Sequence, residues 1–312
     1  MSVTGSPESI ASKPLLATPV LRRIAARATD YIKLTKPRIA VMALVTVVVG
    51  YVLGSAGQVQ ILPLLHALFG IALVAAGSSA LNQWLEQDRD RLMQRTVSRP
   101  LPSGRLSPRE ALLFGLATGV GGLCYLSYTS NQLTVLFAAL TLLLYVLVYT
   151  PLKSRTSLCT AVGAIPGALP PVLGWTAAGG EADLGALTLF SLLFLWQFPH
   201  FLAIAWLYRA DYEAAGFRML PAASQTRRVT GLLAVAYATA LIPVSLLPAE
   251  VVLAGPRYTF AAVALGLMYF LSAVRFLRNE SAETARALIL TSVVYLPLIL
   301  IAMTWDHFQL LR

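Results

Sequence analysis

The chain has 312 residues, of which 57% are hydrophobic and 12% charged, and its mean hydropathy is +0.70. Soluble domains carry about 25% charged residues, so this composition excludes an ordinary soluble protein and indicates an integral membrane protein. The formal net charge of +10 has to be assigned to particular loops before it says anything about partners.

Residues 1–27 are predicted to form a flexible cytoplasmic tail that precedes a membrane domain over residues 28–312. The tail is rich in Ser, Pro and Ala, and it has no apolar core beside a small-residue cleavage site, so it does not resemble a cleavable signal. A mitochondrial targeting peptide is the alternative interpretation because the tail is poor in acids. Glu8, Asp30 and the lack of a clear amphipathic arginine helix argue against it.

Nine apolar stretches of roughly the length that crosses a bilayer follow the tail. They lie near residues 39–56, 62–83, 111–129, 132–150, 158–177, 184–207, 229–247, 258–275 and 286–305. The fifth contains Pro166, Pro170 and Pro171, and each proline removes a backbone donor. We therefore expect this segment to be bent or locally unwound.

Basic residues alternate between the connections of this nine-span arrangement. The tail and the connections that follow the second, fourth, sixth and eighth spans hold 22 of the 24 Lys and Arg residues. Only Arg257 and Arg312 lie on the other side. The positive-inside rule then predicts a cytoplasmic N-terminus and an outside C-terminus. Topology accounts for most of the basic surplus, and no nucleic-acid partner is expected.

Three polar residues end the second span with a spacing of four. In an α-helix, Asn82, Glu86 and Asp90 stack along one face as a column of oxygen ligands, which suits a hard divalent cation. A solvated helix end with ordinary charge pairs is the alternative, but Asn82 still lies inside the apolar run, where polar groups tend to be functional. Asp88 points away from the column and is predicted to pair with a surface arginine.

Arginines follow this column directly. The turn Arg99-Pro-Leu-Pro-Ser-Gly104 is predicted to present three of them near the column: Arg95, Arg99 and Arg105. Acids beside several arginines at a membrane surface indicate a metal-bridged phosphate or diphosphate rather than a simple ion pair.

A second polar set begins inside the sixth span, at Trp196-Gln-Phe-Pro-His200-Phe. Pro199 is predicted to kink the helix near Gln197 and His200. Asp211 lies three helical turns beyond His200, so both are expected to face one cavity. A hydrogen-bonded core histidine is the alternative for His200.

The remaining polar and thiol residues are less informative. Lys153 and Arg155 lie on the same predicted side as the column. His66 and His307 have no charged neighbours at useful spacing and receive no role. Cys124 and Cys159 are predicted to be small core residues.

These strings resemble the heme-farnesylating branch, the protoheme IX farnesyltransferases or heme O synthases, of the UbiA-type intramembrane prenyltransferase superfamily. The superfamily motif Asn-xxx-Asp-xxx-Asp is similar to Asn82, Glu86 and Asp90. The branch-specific resemblance lies in three strings, which are Arg95-Thr-Val-Ser-Arg99-Pro-Leu-Pro-Ser-Gly104, Trp196-Gln-Phe-Pro-His200-Phe and Asp211-Tyr-Glu-Ala-Ala-Gly216-Phe-Arg-Met-Leu-Pro221. The resemblance runs from Leu34-Thr-Lys36-Pro37-Arg38 to the ninth span.

The resemblance implies an all-α bundle of nine membrane helices with a lipid-open central cavity and cytoplasmic cap loops. It implies transfer of a farnesyl group from farnesyl diphosphate to a vinyl group of heme b, in a bacterial inner membrane and with Mg²⁺ as cofactor. It also implies catalytic roles for Asn82, Glu86, Asp90, His200 and Asp211, of which all but His200 would bind metal. The implied substrate-binding residues are Arg38, Arg95, Arg99, Tyr149, Lys153 and Gln197.

Two departures from the superfamily pattern affect the metal prediction. Glu86 replaces an aspartate and lengthens that side chain by one methylene, and the second acidic motif is reduced to Asp211 and Glu213. A full two-metal site is therefore in doubt.

Two other functions remain open. The same chemistry could act on another acceptor, such as a quinone-precursor ring, although the strings around His200 and Met219 argue against this. A transporter would also place polar residues in the membrane, but it predicts polar groups spread through the membrane depth. Homo-oligomers and a complex with a heme A synthase are expected partners, besides membrane lipid.

Overall fold

The computed structural model describes residues 19–220 and 228–312, and the segments described are helical, with no strand. The helices, with a π-helical segment at Leu144–Tyr149, are α1 (Pro19–Leu34), α2 (Pro37–Gly54), α3 (Ile61–Asp90), α4 (Pro108–Thr129), α5 (Gln132–Leu143), α6 (Thr150–Leu152), α7 (Cys159–Ala168), α8 (Pro170–Ala177), α9 (Leu184–Leu207), α10 (Arg209–Ala214), α11 (Val229–Val244), α12 (Leu247–Glu250), α13 (Pro256–Arg278) and α14 (Ala282–Leu310). The all-α prediction is confirmed.

Eight helical segments of the described chain are long and apolar enough to cross a membrane. The predicted fifth span is the α7–α8 pair, which is interrupted at Leu169. The break is expected because Pro170 and Pro171 cannot donate the next backbone hydrogen bonds. The count of nine is therefore approximate, since it holds only if this broken pair is included, and the predicted unwinding is confirmed.

Helix α1 differs from the sequence prediction. It begins at Pro19, inside the stretch predicted to be a flexible tail up to Arg27, and continues to Leu34. One side is buried through Asp30 and Leu34, while Leu21, Ile24 and Ile32 are exposed on another. The rest of the predicted tail, residues 1–18, lies outside the described residues.

Close backbone contact holds several helices together. A Cβ atom added at Gly174 of α8 would lie 1.9 Å from the Val47 carbonyl oxygen of α2, and one added at Gly50 would lie 1.9 Å from the Pro171 carbonyl oxygen. Only glycine allows this approach, which is the usual way for membrane helices to gain packing contacts. The broken α7–α8 segment is therefore held tightly against α2.

An apolar groove of about 360 Å³ runs between α2 and α14. It is lined by residues that include Met42, Val45, Val49, Leu300, Ile301 and Trp305. Val45, Ile301 and Trp305 are exposed, so the groove opens at the side of the bundle, where a membrane protein meets lipid.

Candidate active site at the charged end of the bundle

The column predicted from the sequence is formed by the last turns of α3. Asn82, Glu86 and Asp90 are 1%, 6% and 0% exposed, although a helix end would normally be hydrated. We call this end of the bundle, with the loop residues 91–107 and 208–220, the charged end. Buried polar groups of this kind require partners, so the alternative of a solvated helix end is wrong.

Each member of the column faces one basic side chain. Lys36 Nζ donates to Asn82 Oδ1 at 2.7 Å. Lys153 Nζ lies 2.8 Å from Glu86 Oε1, and Arg99 donates to Asp90 Oδ2 at 2.7 Å. Three cations thus face two carboxylates, and the surplus of positive charge favours an anionic ligand.

The amide of Asn82 is oriented by Thr150. The Thr150 hydroxyl donates to the Tyr145 carbonyl oxygen at 2.7 Å and so accepts from Asn82 Nδ2 at 3.0 Å. Thr150 directly follows the π-helical segment, a type of local distortion that is frequent at functional sites. As a result, the oxygen of Asn82 faces Lys36.

Lys153 is buried yet charged. Burial is the largest single influence and lowers the pKa of this amine, but the Glu86 carboxylate together with Tyr149 and Tyr145 outweighs it, so the pKa lies well above its usual range. Lys153 Nζ also lies 4.5 Å from the centre of the Tyr149 ring, a distance typical of a cation–π contact. Lys153 is therefore a fixed positive charge beside the column.

The two loops of the charged end meet, as the sequence predicted. Asp211 Oδ2 accepts from the Arg95 backbone N–H at 3.4 Å, and the Arg95 guanidinium donates to the Tyr212 hydroxyl at 3.0 Å. The Arg218 N–H donates to the Lys153 carbonyl oxygen at 2.8 Å. These contacts close a cap over the end of α3.

A metal fits the column only in part. Asp90 Oδ1 is enclosed and has no hydrogen-bond partner among the described residues, so this hard oxygen has unused capacity for a divalent cation. Yet in the part of the chain that is described, no three His, Cys, Asp or Glu side chains converge on one point. Asp211 does not join Glu86 and Asp90 in this structure and instead accepts from the Arg95 backbone N–H. Metal binding by Asn82, Glu86, Asp90 and Asp211 together stays a prediction.

The structure corrects one predicted contact and leaves another untested. Arg105 does not approach the column, because it donates to Asp30 of α1 at 3.0 Å and to the Ser98 carbonyl oxygen. Arg38 is exposed and makes no hydrogen bond or ion pair within residues 19–220 and 228–312, so its substrate contact stays a prediction. Asp88 pairs with Arg91 at 3.1 Å, as predicted.

The residues of the second predicted set, Gln197, His200 and Asp211, contact different parts of the bundle. Gln197 Nε2 donates to the carbonyl oxygens of Ala164 and Leu193, so this amide ties α9 to the broken segment. His200 Nδ1 lies 2.6 Å from Ser292 Oγ of α14, whereas Asp211 contacts the loop after α3. Helix α9 continues without a break through Pro199.

Asn82 and His200 nevertheless lie at similar distances along their helices from the ends of those helices. Each is seven or eight residues before its helix ends, at Asp90 and Leu207, which is about 10–12 Å at 1.5 Å per residue.

Sequence reasoning missed Lys36, Thr150 and Ser292. Lys36 belongs to the string Leu34-Thr-Lys36-Pro37-Arg38, and Thr150 lies between Tyr149 and Pro151. Both could have been considered from their position beside a proline at a helix end. Ser292 has no such signal, because its partner is 92 residues away in the chain.

The geometry describes an all-helical membrane bundle with a buried polar column and a cationic surround at one end. The chain belongs to the UbiA prenyltransferase family, whose model matches residues 43–304.

Within that family, the chain is similar to the "Protoheme IX farnesyltransferase" of Solibacter usitatus, with 45% identity over 89% of this chain and 98% of the relative. It is also similar to the "Protoheme IX farnesyltransferase" of Koribacter versatilis, with 42% identity over 91% of this chain and 95% of that relative.

Solved structures support the fold. A structure described under digeranylgeranylglyceryl phosphate synthase matches with a TM-score of 0.74 and 18% identity, over 91% of this chain and 99% of the other. A UbiA homologue from Archaeoglobus fulgidus bound to GPP and Mg²⁺ matches with a TM-score of 0.58 and 21% identity, over 88% and 99%. The protein is therefore an integral membrane protein with the UbiA fold.

Proposed function

We propose that the chain transfers a farnesyl group from farnesyl diphosphate to a vinyl group of heme b, yielding heme O and diphosphate. The observation that carries this proposal is the buried column of Asn82, Glu86 and Asp90 facing Lys36, Lys153 and Arg99. The similarity to the protoheme IX farnesyltransferases of Solibacter usitatus and Koribacter versatilis supports farnesyl transfer to protoheme.

The basic side chains stabilise the leaving group. In the reaction, the C–O bond of the farnesyl ester breaks and its electron pair leaves with diphosphate. Lys36, Lys153 and Arg99 are already positioned before reaction, so they can bind the growing negative charge without reorganisation. The net positive balance of the site is what this step requires.

Mg²⁺ is proposed as the cofactor, held by Asp90, Glu86 and Asn82, and when bound it supplies a further positive charge that polarises the diphosphate. Asp90 Oδ1 supports this assignment because it is buried without a partner. A UbiA homologue whose structure holds both GPP and Mg²⁺ supports it as well.

The farnesyl cation must be protected from water until the acceptor reaches it. The cap formed by Arg95, Asp211 and Tyr212 is proposed to exclude water from above, while Tyr149 contributes an aromatic wall beside Lys153. The apolar groove of about 360 Å³ between α2 and α14 is proposed to take the isoprenoid chain.

The acceptor is proposed to be positioned by His200, which lies about as far before the end of α9 as Asn82 lies before the end of α3. A vinyl group is a weak nucleophile, so its placement beside the cation should provide much of the catalysis. The terminal vinyl carbon bonds to the farnesyl carbon. Water then adds to the carbon next to the porphyrin and releases a proton, which leaves a hydroxyethyl derivative. Gln197 would hold the nearby backbone in place for this step.

We further propose a bacterial inner-membrane location, with the charged end and N-terminus cytoplasmic and the C-terminus outside. The distribution of Lys and Arg between connections supports this orientation. Partners would include membrane lipid, a second copy of the chain, or a heme A synthase that consumes the product.

The test is a reaction with purified protein in detergent, using farnesyl diphosphate, Mg²⁺ and heme b, with 4-hydroxybenzoate in a parallel reaction. Mass analysis of the heme extract should show a farnesylated hydroxyethyl derivative, and the parallel reaction should give no prenylated ring. If only 4-hydroxybenzoate were prenylated, the acceptor would be an aromatic ring and not heme b. If neither acceptor led to release of diphosphate, the transferase proposal would be refuted.

A further inference from the structure

The Ser292 hydroxyl contacts one ring nitrogen of His200, so its own hydrogen bonds bear on which nitrogen carries the proton. The Ser292 hydroxyl oxygen lies 2.6 Å from the Ile289 carbonyl oxygen and 2.6 Å from His200 Nδ1. A carbonyl oxygen can only accept, so the single hydroxyl hydrogen must point to Ile289, because two oxygens this close without a hydrogen would repel. Ser292 therefore accepts from His200, and the neutral ring carries its proton on Nδ1.

The same serine also fixes the ring that stacks on His200. Trp196 Nε1 donates to the Ser292 carbonyl oxygen at 2.9 Å. Trp196 is one turn before His200 on α9, and its ring lies 5.5 Å from the imidazole at an interplanar angle of 18°. Ser292 itself is fully buried, so both side chains are held against α14 by one residue.

The other ring nitrogen, His200 Nε2, is left with a free lone pair. It has no hydrogen-bond partner among the described residues and is not among the enclosed unpartnered atoms. His307 is the contrasting case, because its Nδ1 bonds to the Leu253 carbonyl oxygen while its Nε2 is enclosed without a partner. Of these two histidines, only His200 offers a lone pair to an incoming molecule.

We propose that Ser292 is a positioning residue that holds His200 with Nε2 unprotonated, so that this nitrogen ligates the iron of heme b. This inference rests on the proposed function, and it chooses between two contacts for His200. An iron ligand needs the Nε2 lone pair, whereas a contact with a heme propionate needs a proton on that nitrogen. Donation of the opposite N–H to a fixed acceptor is the usual support for a metal-bound histidine.

The first test needs neither heme nor activity. The chain has only three histidines, so ¹⁵N-histidine labelling gives a spectrum that can be assigned with His66→Gln and His307→Gln variants. We expect His200 to be protonated on Nδ1 in the wild type and to lose this preference in Ser292→Ala. A wild-type His200 protonated on Nε2 would overturn the inference, whatever the outcome of the farnesyl-transfer assay.

The second test compares binding of heme b with binding of metal-free protoporphyrin IX. Ser292→Ala is expected to weaken heme b binding by about tenfold or more, within the range seen when the support of a metal ligand is removed. Its axial-imidazole signature in the heme absorption and resonance Raman spectra should weaken too. Metal-free protoporphyrin should bind both forms alike, and Ser292→Thr, which keeps the hydroxyl, should restore the wild-type values.

A matched control separates this role from helix packing. Ser245 is also fully buried and also donates to a carbonyl oxygen three residues earlier, that of Ile242 at 2.7 Å, but it does not contact a histidine. Ser245→Ala should leave heme spectra and affinity unchanged. Equal losses for heme b and metal-free porphyrin in Ser292→Ala, or equal spectral changes in Ser245→Ala, would overturn the proposal even if the wild type makes the farnesylated product.

Discussion

The two ends of the bundle each bury an aspartate, and they use it differently. At the charged end, Asp90 faces the side chain of Arg99, and its Oδ1 has no partner within residues 19–220 and 228–312. At the opposite end, which we call the distal end, Asp306 Oδ2 accepts from the backbone N–H groups of Gly255 at 2.8 Å and Tyr258 at 2.9 Å. Those two bonds cap the start of α13.

The kind of group that each aspartate contacts distinguishes a functional site from a structural contact. The guanidinium of Arg99 is on a long side chain that can turn toward a ligand, so the charge of Asp90 remains available. The N–H groups beside Asp306 are fixed by the backbone and cannot leave without unwinding α13. Burial of an acid in a membrane protein therefore indicates function at one end of this molecule and helix capping at the other.

The largest effect should come from Asp90→Asn. The substitution keeps the shape and removes the charge proposed to hold Mg²⁺, so farnesyl transfer should fall by about 10²–10³-fold, the range for losing one preorganised electrostatic group. Rates of product formation with saturating heme b measure it. Asp88→Asn is the control, because Asp88 is on the same helix with its side chain 83% exposed; a similar fall in that variant would contradict the assignment.

A smaller effect is expected from Lys36→Ala. Lys36 lies between α1 and α2 with φ of 50°, in the left-handed region. Alanine is strained there as lysine is, so the change tests the ammonium group alone. Loss of a charged hydrogen bond of about 1.5–3 kcal/mol should raise the KM for farnesyl diphosphate at least tenfold.

Arg38→Ala serves as the comparison for Lys36→Ala. Arg38 is exposed, and exposed charges contribute at most about 1 kcal/mol, so its KM should stay within a few-fold of the wild type. A larger rise in the KM for farnesyl diphosphate in Arg38→Ala than in Lys36→Ala would support the substrate contact that the sequence predicted for Arg38.

A contact could be predicted from the sequence only where its residues are close together in the chain. The column was predictable because spacing within one helix fixes which side chains share a face. Lys36 was not distinguished from Arg38, since the turn between α1 and α2 decides which of them points to Asn82. Arg105 was misplaced because its partner Asp30 is 75 residues away in the chain and no spacing rule connects the two. Ser292 and Asp306 depend on contacts between helices far apart in the chain.

The comparison of the two ends is sharpened by Asp306→Asn, which should change stability and leave chemistry intact. The amide keeps one acceptor oxygen but loses the charge that strengthens both bonds to Gly255 and Tyr258, and it loses a favourable anion at the start of α13. We expect the free energy of unfolding to fall by about 1–3 kcal/mol, measured by thermal or denaturant unfolding in detergent.

At a temperature where the Asp306→Asn protein remains folded, its kcat and KM should match the wild type, because Asp306 lies far along α14 from Ser292 and from the charged end. Asp90→Asn should show the reverse pattern, with a slow reaction and a nearly unchanged unfolding transition. If Asp306→Asn instead slowed the reaction in a fully folded protein, the distal end would also act on the chemistry, and the distinction between side-chain and backbone partners would fail.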